Sequence, residues 1–100
     1  MIGKIKDIAS AMKGRLYGQG EDAIYNVSTD TRTLHKGDLF IALQGEFHDG
    51  HDFLEQACAK GAQALVISDA KLVEKYIEKN VNVILVDDTL LGLQQFANWH

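Results

Sequence analysis

Apolar residues at Ile5, Ile8, Ala9 and Met12 recur at i, i+3, i+4 and i+7, which predicts a short helix over Lys4–Met12 with one face turned inward. Gly14 is expected to end it. Arg15-Leu16-Tyr17 reads as a short strand, Gly18 to Asp22 as a loop, and Ile24 to Ser28 alternates as a half-buried strand does. After the turn His35-Lys36-Gly37-Asp38, Leu39 to Leu43 is an almost unbroken apolar run of strand length, the pattern of a strand covered on both faces. Asp52 and Glu55 then have the spacing of a capping box, so a helix is expected to start there, with Phe53, Leu54, Ala57 and Cys58 inward and Gly61 just past its end. Ala64 to Ser68 is a second buried strand, Lys71 to Lys79 an amphipathic helix, and Val83 to Val86 a third apolar strand. Asp88 or Thr89 opens a last helix that is still running at Trp99 and His100.

Strands and helices thus alternate from Leu39 onward. That order predicts an α/β fold with a mostly parallel, mixed sheet of about five strands and helices on its faces, the segment before Leu39 adding strands at one edge. A chain of 100 residues suits one domain with a core of its own. Its last helix carries Leu93, Phe96, Ala97 and Trp99 with no stop signal, so the natural protein is expected to continue.

Charge and composition mainly exclude. A formal net charge of −4, with none of the ten Lys and Arg residues in a run, argues against a nucleic-acid module. An anionic ligand would have to be held by local donors against a mildly unfavourable field. No apolar run approaches the roughly 18 residues of a membrane span, and the N-terminus lacks the apolar stretch of a secretory signal. Cys58, the sole cysteine, makes no internal disulfide and reads as a small buried residue. A cytoplasmic location is the expectation from these features.

Two polar loops, Thr29 to Arg32 and Gly45 to Asp52, each follow an apolar β-rich run and gather hydroxyls, a guanidinium, imidazoles and glycines. A ligand site is the natural reading. Thr31 and Arg32 can meet a diphosphate at a strand's C-terminal end, or Asp30 can pair with Arg32 in a plain polar turn. Gly45 allows close backbone approach, and Glu46, Phe47 and His48 can present amides and a flat face to a base, unless Phe47 folds inward. His48-Asp49-Gly50-His51-Asp52 has metal-ligand residue types, but two histidines three apart converge only on a regular helix, and Asp49-Gly50 signals a turn. The preferred reading is structural: Asp49-Gly50 bends, His51 bonds across the loop, and Asp52 caps the following helix.

These residues resemble the N-terminal domain of the Mur ligases, which add amino acids to UDP-muramoyl peptides. The resemblance rests on Asp30-Thr31-Arg32, on Gly37-Asp38-Leu39-Phe40-Ile41-Ala42-Leu43-Gln44-Gly45, on Asp49-Gly50-His51-Asp52-Phe53 and on Ala57-Cys58-Ala59-Lys60-Gly61-Ala62-Gln63-Ala64. Thr31 stands where the family usually has Ser, keeping the hydroxyl and adding a methyl. The segment Val86 to Ala97 is similar to the one leading into the central domain of the branch that adds D-alanyl-D-alanine; the branch that adds the third residue shares the first part of the pattern. A non-catalytic interaction module on the same scaffold is the rival of another class.

The resemblance implies UDP contacts from Thr29, Asp30, Thr31 and Arg32 and from Gly45, Glu46, Phe47, His48 and Asp49, with Gly50, His51 and Asp52 shaping the loop and the helix start. It implies a domain over residues 1–87, with residues 88–100 beginning the helix toward a central domain that holds ATP and Mg2+, and a C-terminal domain for the incoming dipeptide. UDP-N-acetylmuramoyl peptide is the expected partner, with no nucleic acid and no membrane. No metal or cofactor is expected within these residues, and no catalytic residue: Gly3-Lys4, the one Gly-Lys pair, is followed by Ile5 and preceded by no phosphate-loop glycine.

Overall fold

Side chains of strand β5 (Leu39–Ile41) are wholly buried, and their two-residue alternation divides the core into two layers. In the computed structural model, which describes Met1–His100, Leu39 and Ile41 face one layer while Phe40 and Ala42 face the other. Strand β6 (Ala64–Ile67) repeats the division, Ala64 and Val66 joining the first layer and Leu65 and Ile67 the second. Helices α1 (Ile5–Ala11) and α4 (Thr89–Trp99) cover the first layer through Ile5, Ile8, Ala9 and Phe96. Helices α2 (Leu54–Ala59) and α3 (Val73–Ile77) cover the second through Leu54, Ala57, Val73 and Tyr76.

The main sheet has five strands in the order β2-β7-β6-β5-β4, where β2 is Arg15–Tyr17, β4 is Val27–Ser28 and β7 is Asn82–Leu85. β4, β5, β6 and β7 run parallel, and β2 is antiparallel to β7 at the far edge. This is the mixed, mostly parallel α/β sheet the alternation predicts. The connection from β4 to β5 carries no helix. Asp38, read as a turn residue, is buried and ties this connection down: its carboxylate accepts from the Asn26 side chain at 2.8 Å and from the His35 backbone N–H at 2.9 Å.

Several local expectations are corrected. The predicted strand Ile24–Ser28 is two pieces, because β3 (Ala23–Ile24) leaves the main sheet to pair antiparallel with β1 (Gly3–Lys4), a strand the pattern did not announce. At the end of α1 it is Lys13 that takes the left-handed conformation, at φ 56°, and Gly14 follows it, donating to the Ala9 carbonyl. Gly14 is there for closeness: a Cβ would lie 2.6 Å from the Ile84 side chain. Gly61 does end α2 with φ 89°, as expected.

The helix start at Asp52 is displaced. Asp49 caps instead, accepting from the His51 backbone N–H ahead of a 3-10 turn over Gly50–Phe53, and Asp52 remains exposed. Glu55 completes no capping box; it pairs with Lys75 of α3 at 2.7 Å and with Lys79, just past the end of α3, at 3.4 Å. Phe53 stays partly exposed and Cys58 is half-buried, so Leu54 and Ala57 carry the inward face of α2. The last helix matches its start signal, since Asp88 accepts from the N–H groups of Leu90 and Leu91.

Candidate functional site

β4 and β5 are neighbours and parallel, so the segments leaving their C-terminal ends emerge side by side. A cleft of about 620 Å³ lies between them, lined by Thr29, Asp30, Thr31, Arg32, Phe40, Leu43, His48, Gly50, Phe53 and Gln56. The volume falls in the range of small-molecule sites, and the position is the edge at which open α/β sheets bind ligands. Phe40 and Leu43 from β5 and its exit, with Phe53 from the 3-10 turn, give the cleft an apolar wall; Thr29, Asp30, Thr31, Arg32, His48 and Gln56 give it polar groups.

In the first loop Arg32 holds Asp30 in a forked pair, with Nη2 to Oδ2 at 2.7 Å and Nε to Oδ1 at 3.0 Å, while the Arg32 backbone N–H donates to the same carboxylate. The Arg32 side chain, followed by its backbone N–H, lowers the Asp30 carboxyl to about 2. Arg32 remains 87% exposed and keeps N–H groups that Asp30 does not use. Thr31 is only 5% exposed: its hydroxyl donates to Gln56 Oε1 at 2.8 Å, and its carbonyl accepts from Lys60 Nζ. Thus Gln56 of α2 and Lys60 at its C-cap grip the first loop from the other side of the cleft.

The second loop is a tight return. The Gly45 N–H donates to the His48 carbonyl at 2.7 Å, Gln44 and Asp49 face each other in a single antiparallel bridge, and the Gly50 N–H donates back to Leu43 at 2.7 Å. His51 closes it. Its Nδ1 lies 2.7 Å from Asp49 Oδ1, and its Nε2 accepts from the Ser68 backbone N–H at 2.9 Å, at the end of β6. Burial opposes ionisation of Asp49, but the backbone and ring N–H groups of His51 outweigh it and hold the carboxyl below its ordinary value. Both ring nitrogens of His51 are engaged within the protein, so His51 bonds across the loop as expected, while the cap falls to Asp49 and not to Asp52.

A family model described as "Mur ligase family, catalytic domain" matches residues 23–100. The chain belongs to the Mur ligase family. Among curated relatives, the UDP-N-acetylmuramoyl-tripeptide--D-alanyl-D-alanine ligase of Bacillus subtilis is 45% identical over 95 residues, covering 93% of this chain and 20% of the relative. A UDP-N-acetylmuramoyl-L-alanyl-D-glutamate--2,6-diaminopimelate ligase of Parabacteroides distasonis is 32% identical over 91 residues, covering 90% of this chain and 18% of the relative. Among solved structures, MurF from Acinetobacter baumannii superposes with a TM-score of 0.76 at 28% identity, covering 97% of this chain and 20% of that one. The chain therefore spans about a fifth of the length of these relatives. Its fold and sequence are those of a Mur ligase N-terminal domain of the MurF kind.

Within this Mur ligase domain, the structure brings Thr29, Asp30, Thr31, Arg32, His48 and Gly50 together on one cleft. Gly45, Glu46, Phe47 and Asp49 lie on the adjoining turn outside the lining, and Phe47, neither folded inward nor against the cleft, is 84% exposed. Sequence reasoning missed Gln56, Phe53 and the Phe40 and Leu43 wall. Gln56 lies one helical turn before Lys60, and this i, i+4 pair of long polar side chains on one face of α2 was the signal available.

Proposed function

We propose that this chain is the nucleotide-anchoring domain of a ligase that joins D-alanyl-D-alanine to UDP-N-acetylmuramoyl-tripeptide in peptidoglycan precursor synthesis. The observation that carries the reading is the single cleft formed where the loops after β4 and β5 meet. Free N–H groups of Arg32 face a diphosphate, and the Phe40, Leu43 and Phe53 wall with His48 encloses the flat base. Affinity at this distant end of the substrate positions the reacting carboxylate elsewhere in the parent.

In that parent, an ATP-binding part outside these residues would supply the activation of the muramoyl-peptide carboxylate that the dipeptide amine needs. The residues of this chain do not fit ATP or its Mg2+, because no glycine-rich loop ends in Gly-Lys-Ser or Gly-Lys-Thr. Residues 1–87 carry the anchoring cleft, and residues 88–100 begin the helix α4 that packs on them through Phe96 and leads toward the ATP-binding part. The chain alone binds without turning over. Identity of 45% to the D-alanyl-D-alanine ligase against 32% to the diaminopimelate ligase favours the first over the third-residue branch. None of its helices is long and apolar enough to cross a membrane.

Titrating the 15N-labelled chain with UDP tests this. Weak binding is expected, with amide shifts confined to Thr29–Arg32 and to Gly45–Phe53; no localised response at roughly millimolar UDP ends the reading.

A further inference from the structure

His51 is outside the cleft lining, yet it is the one side chain that joins the second loop to a third strand. Its side chain is 7% exposed, so its polar atoms must find partners within the protein. A backbone N–H can only donate, so Nε2, facing the Ser68 N–H at 2.9 Å, presents its lone pair. The ring proton therefore sits on Nδ1 and points at Asp49 Oδ1, 2.7 Å away. An imidazolium has no lone pair to offer Ser68.

The same carboxylate also accepts the His51 backbone N–H at 2.9 Å, and its other oxygen lies 3.5 Å from the Gln44 side-chain nitrogen. Gly50, between them, is pinned to Leu43 at 2.7 Å, and both Gly50 and Leu43 line the cleft. One imidazole thus fixes the turn that carries His48 and Gly50, and it fixes that turn to β6, a strand that contributes nothing else to the cleft.

We infer that His51 is a positioning residue for nucleotide binding: locked in its neutral Nδ1–H form between Asp49 and Ser68, it holds the His48–Gly50 wall of the cleft at ligand-binding distance from Thr29–Arg32. The inference rests on the nucleotide reading above and goes beyond it by assigning affinity to a residue that does not touch the ligand. A wall left unsupported moves, and at metal sites the loss of an outer supporting partner costs about tenfold or more in affinity, the scale expected here.

Two measurements on the 100-residue chain test it. In the free protein, two-bond 1H–15N correlation of the His51 ring at neutral pH should show a protonated Nδ1 and an unprotonated Nε2; the opposite tautomer, or a doubly protonated ring, overturns the lock. UDP titrations then compare wild type, His51→Ala and His51→Gln well below each thermal midpoint. Expected is an affinity about tenfold weaker for His51→Ala, with shifts at Thr29–Arg32 retained, and recovery to within about threefold for His51→Gln, whose amide can accept from Ser68 and donate to Asp49. A folded His51→Ala that binds UDP as wild type does overturns this inference alone. If wild type itself gives no localised response, the nucleotide reading fails and this one falls with it. Should His51→Ala not fold, His51→Gln decides: wild-type affinity with the Ser68 amide unprotected from exchange refutes the strut, and affinity that tracks Ser68 protection supports it.

Discussion

Gly50→Ala isolates close packing from backbone freedom at the most crowded point beside the cleft. The φ of Gly50 is not in the left-handed region, so alanine can adopt its conformation. Space is what is missing: a Cβ there would lie 2.7 Å from the Leu43 nitrogen, 2.8 Å from the Ala42 Cα and 2.9 Å from the Ala42 carbonyl carbon. All three are backbone atoms of the β5 exit and cannot rotate aside. Reaching ordinary contact at 3.4 Å requires the turn to back away by about 0.7 Å, which strains the 2.7 Å bond from the Gly50 N–H to Leu43. Overpacking of this kind costs about 1–3 kcal/mol, offset by roughly 0.4–1 kcal/mol from the stiffer unfolded chain. The net cost centres on about 1.3 kcal/mol, and for a domain of this size each kcal/mol moves the midpoint by roughly 4–8 °C, so calorimetry should find Gly50→Ala about 5–10 °C less stable. Amide shifts should change at Leu43 and Gly45 and leave Lys71–Lys79 untouched. A variant as stable as wild type, with the Leu43 amide unmoved, refutes the claim that the turn rests directly on β5.

The ion pair at the first loop makes a prediction about pH. Because Arg32 lowers the Asp30 carboxyl to about 2 from an ordinary 3.8, the pair is intact at neutral pH and is lost only as pH falls through about 2. An NMR titration following the Asp30 carboxyl carbon and the Arg32 Nε–H should show both unchanged through the usual carboxylate range, and a midpoint near 4 would contradict the pairing. The pair is exposed, so little stability is expected to go with it. Asp88→Ala, which removes the acceptor for the Leu90 and Leu91 N–H groups, should cost about 1 kcal/mol in urea denaturation, with Asp88→Asn recovering most of it.

How far these features were legible in the sequence depends on the reach of the interactions behind them. β5, β6 and β7 announced themselves because burial on both faces leaves an apolar run that few other environments tolerate. Asp88 was legible as well, since an N-cap bonds residues two and three positions away. β1 was not: a two-residue strand has no period to detect, and its pairing with β3 spans about twenty residues of sequence. For the same reason the single predicted strand Ile24–Ser28 hid a switch between two sheets.

The misplaced helix cap shows what local pattern cannot arbitrate. Asp49 and Asp52 are both acidic residues ahead of an apolar helical face, and the Asp52–Glu55 spacing favours Asp52. What decides for Asp49 lies elsewhere in the chain. Lys75 on α3 and Lys79 just beyond it draw Glu55 away from the helix start, and Ser68 at the end of β6 holds the His51 ring with its Nδ1 against Asp49. The same long-range contacts explain the gap in the site prediction. Residues of one loop were found because they are contiguous, whereas Gln56 enters only because α2 crosses back over the Thr29–Arg32 loop, a proximity set by β4 pairing with β5 and by Leu54 and Ala57 packing on Phe40. The cleft is a product of strand order, and its far wall becomes visible only once that order is known.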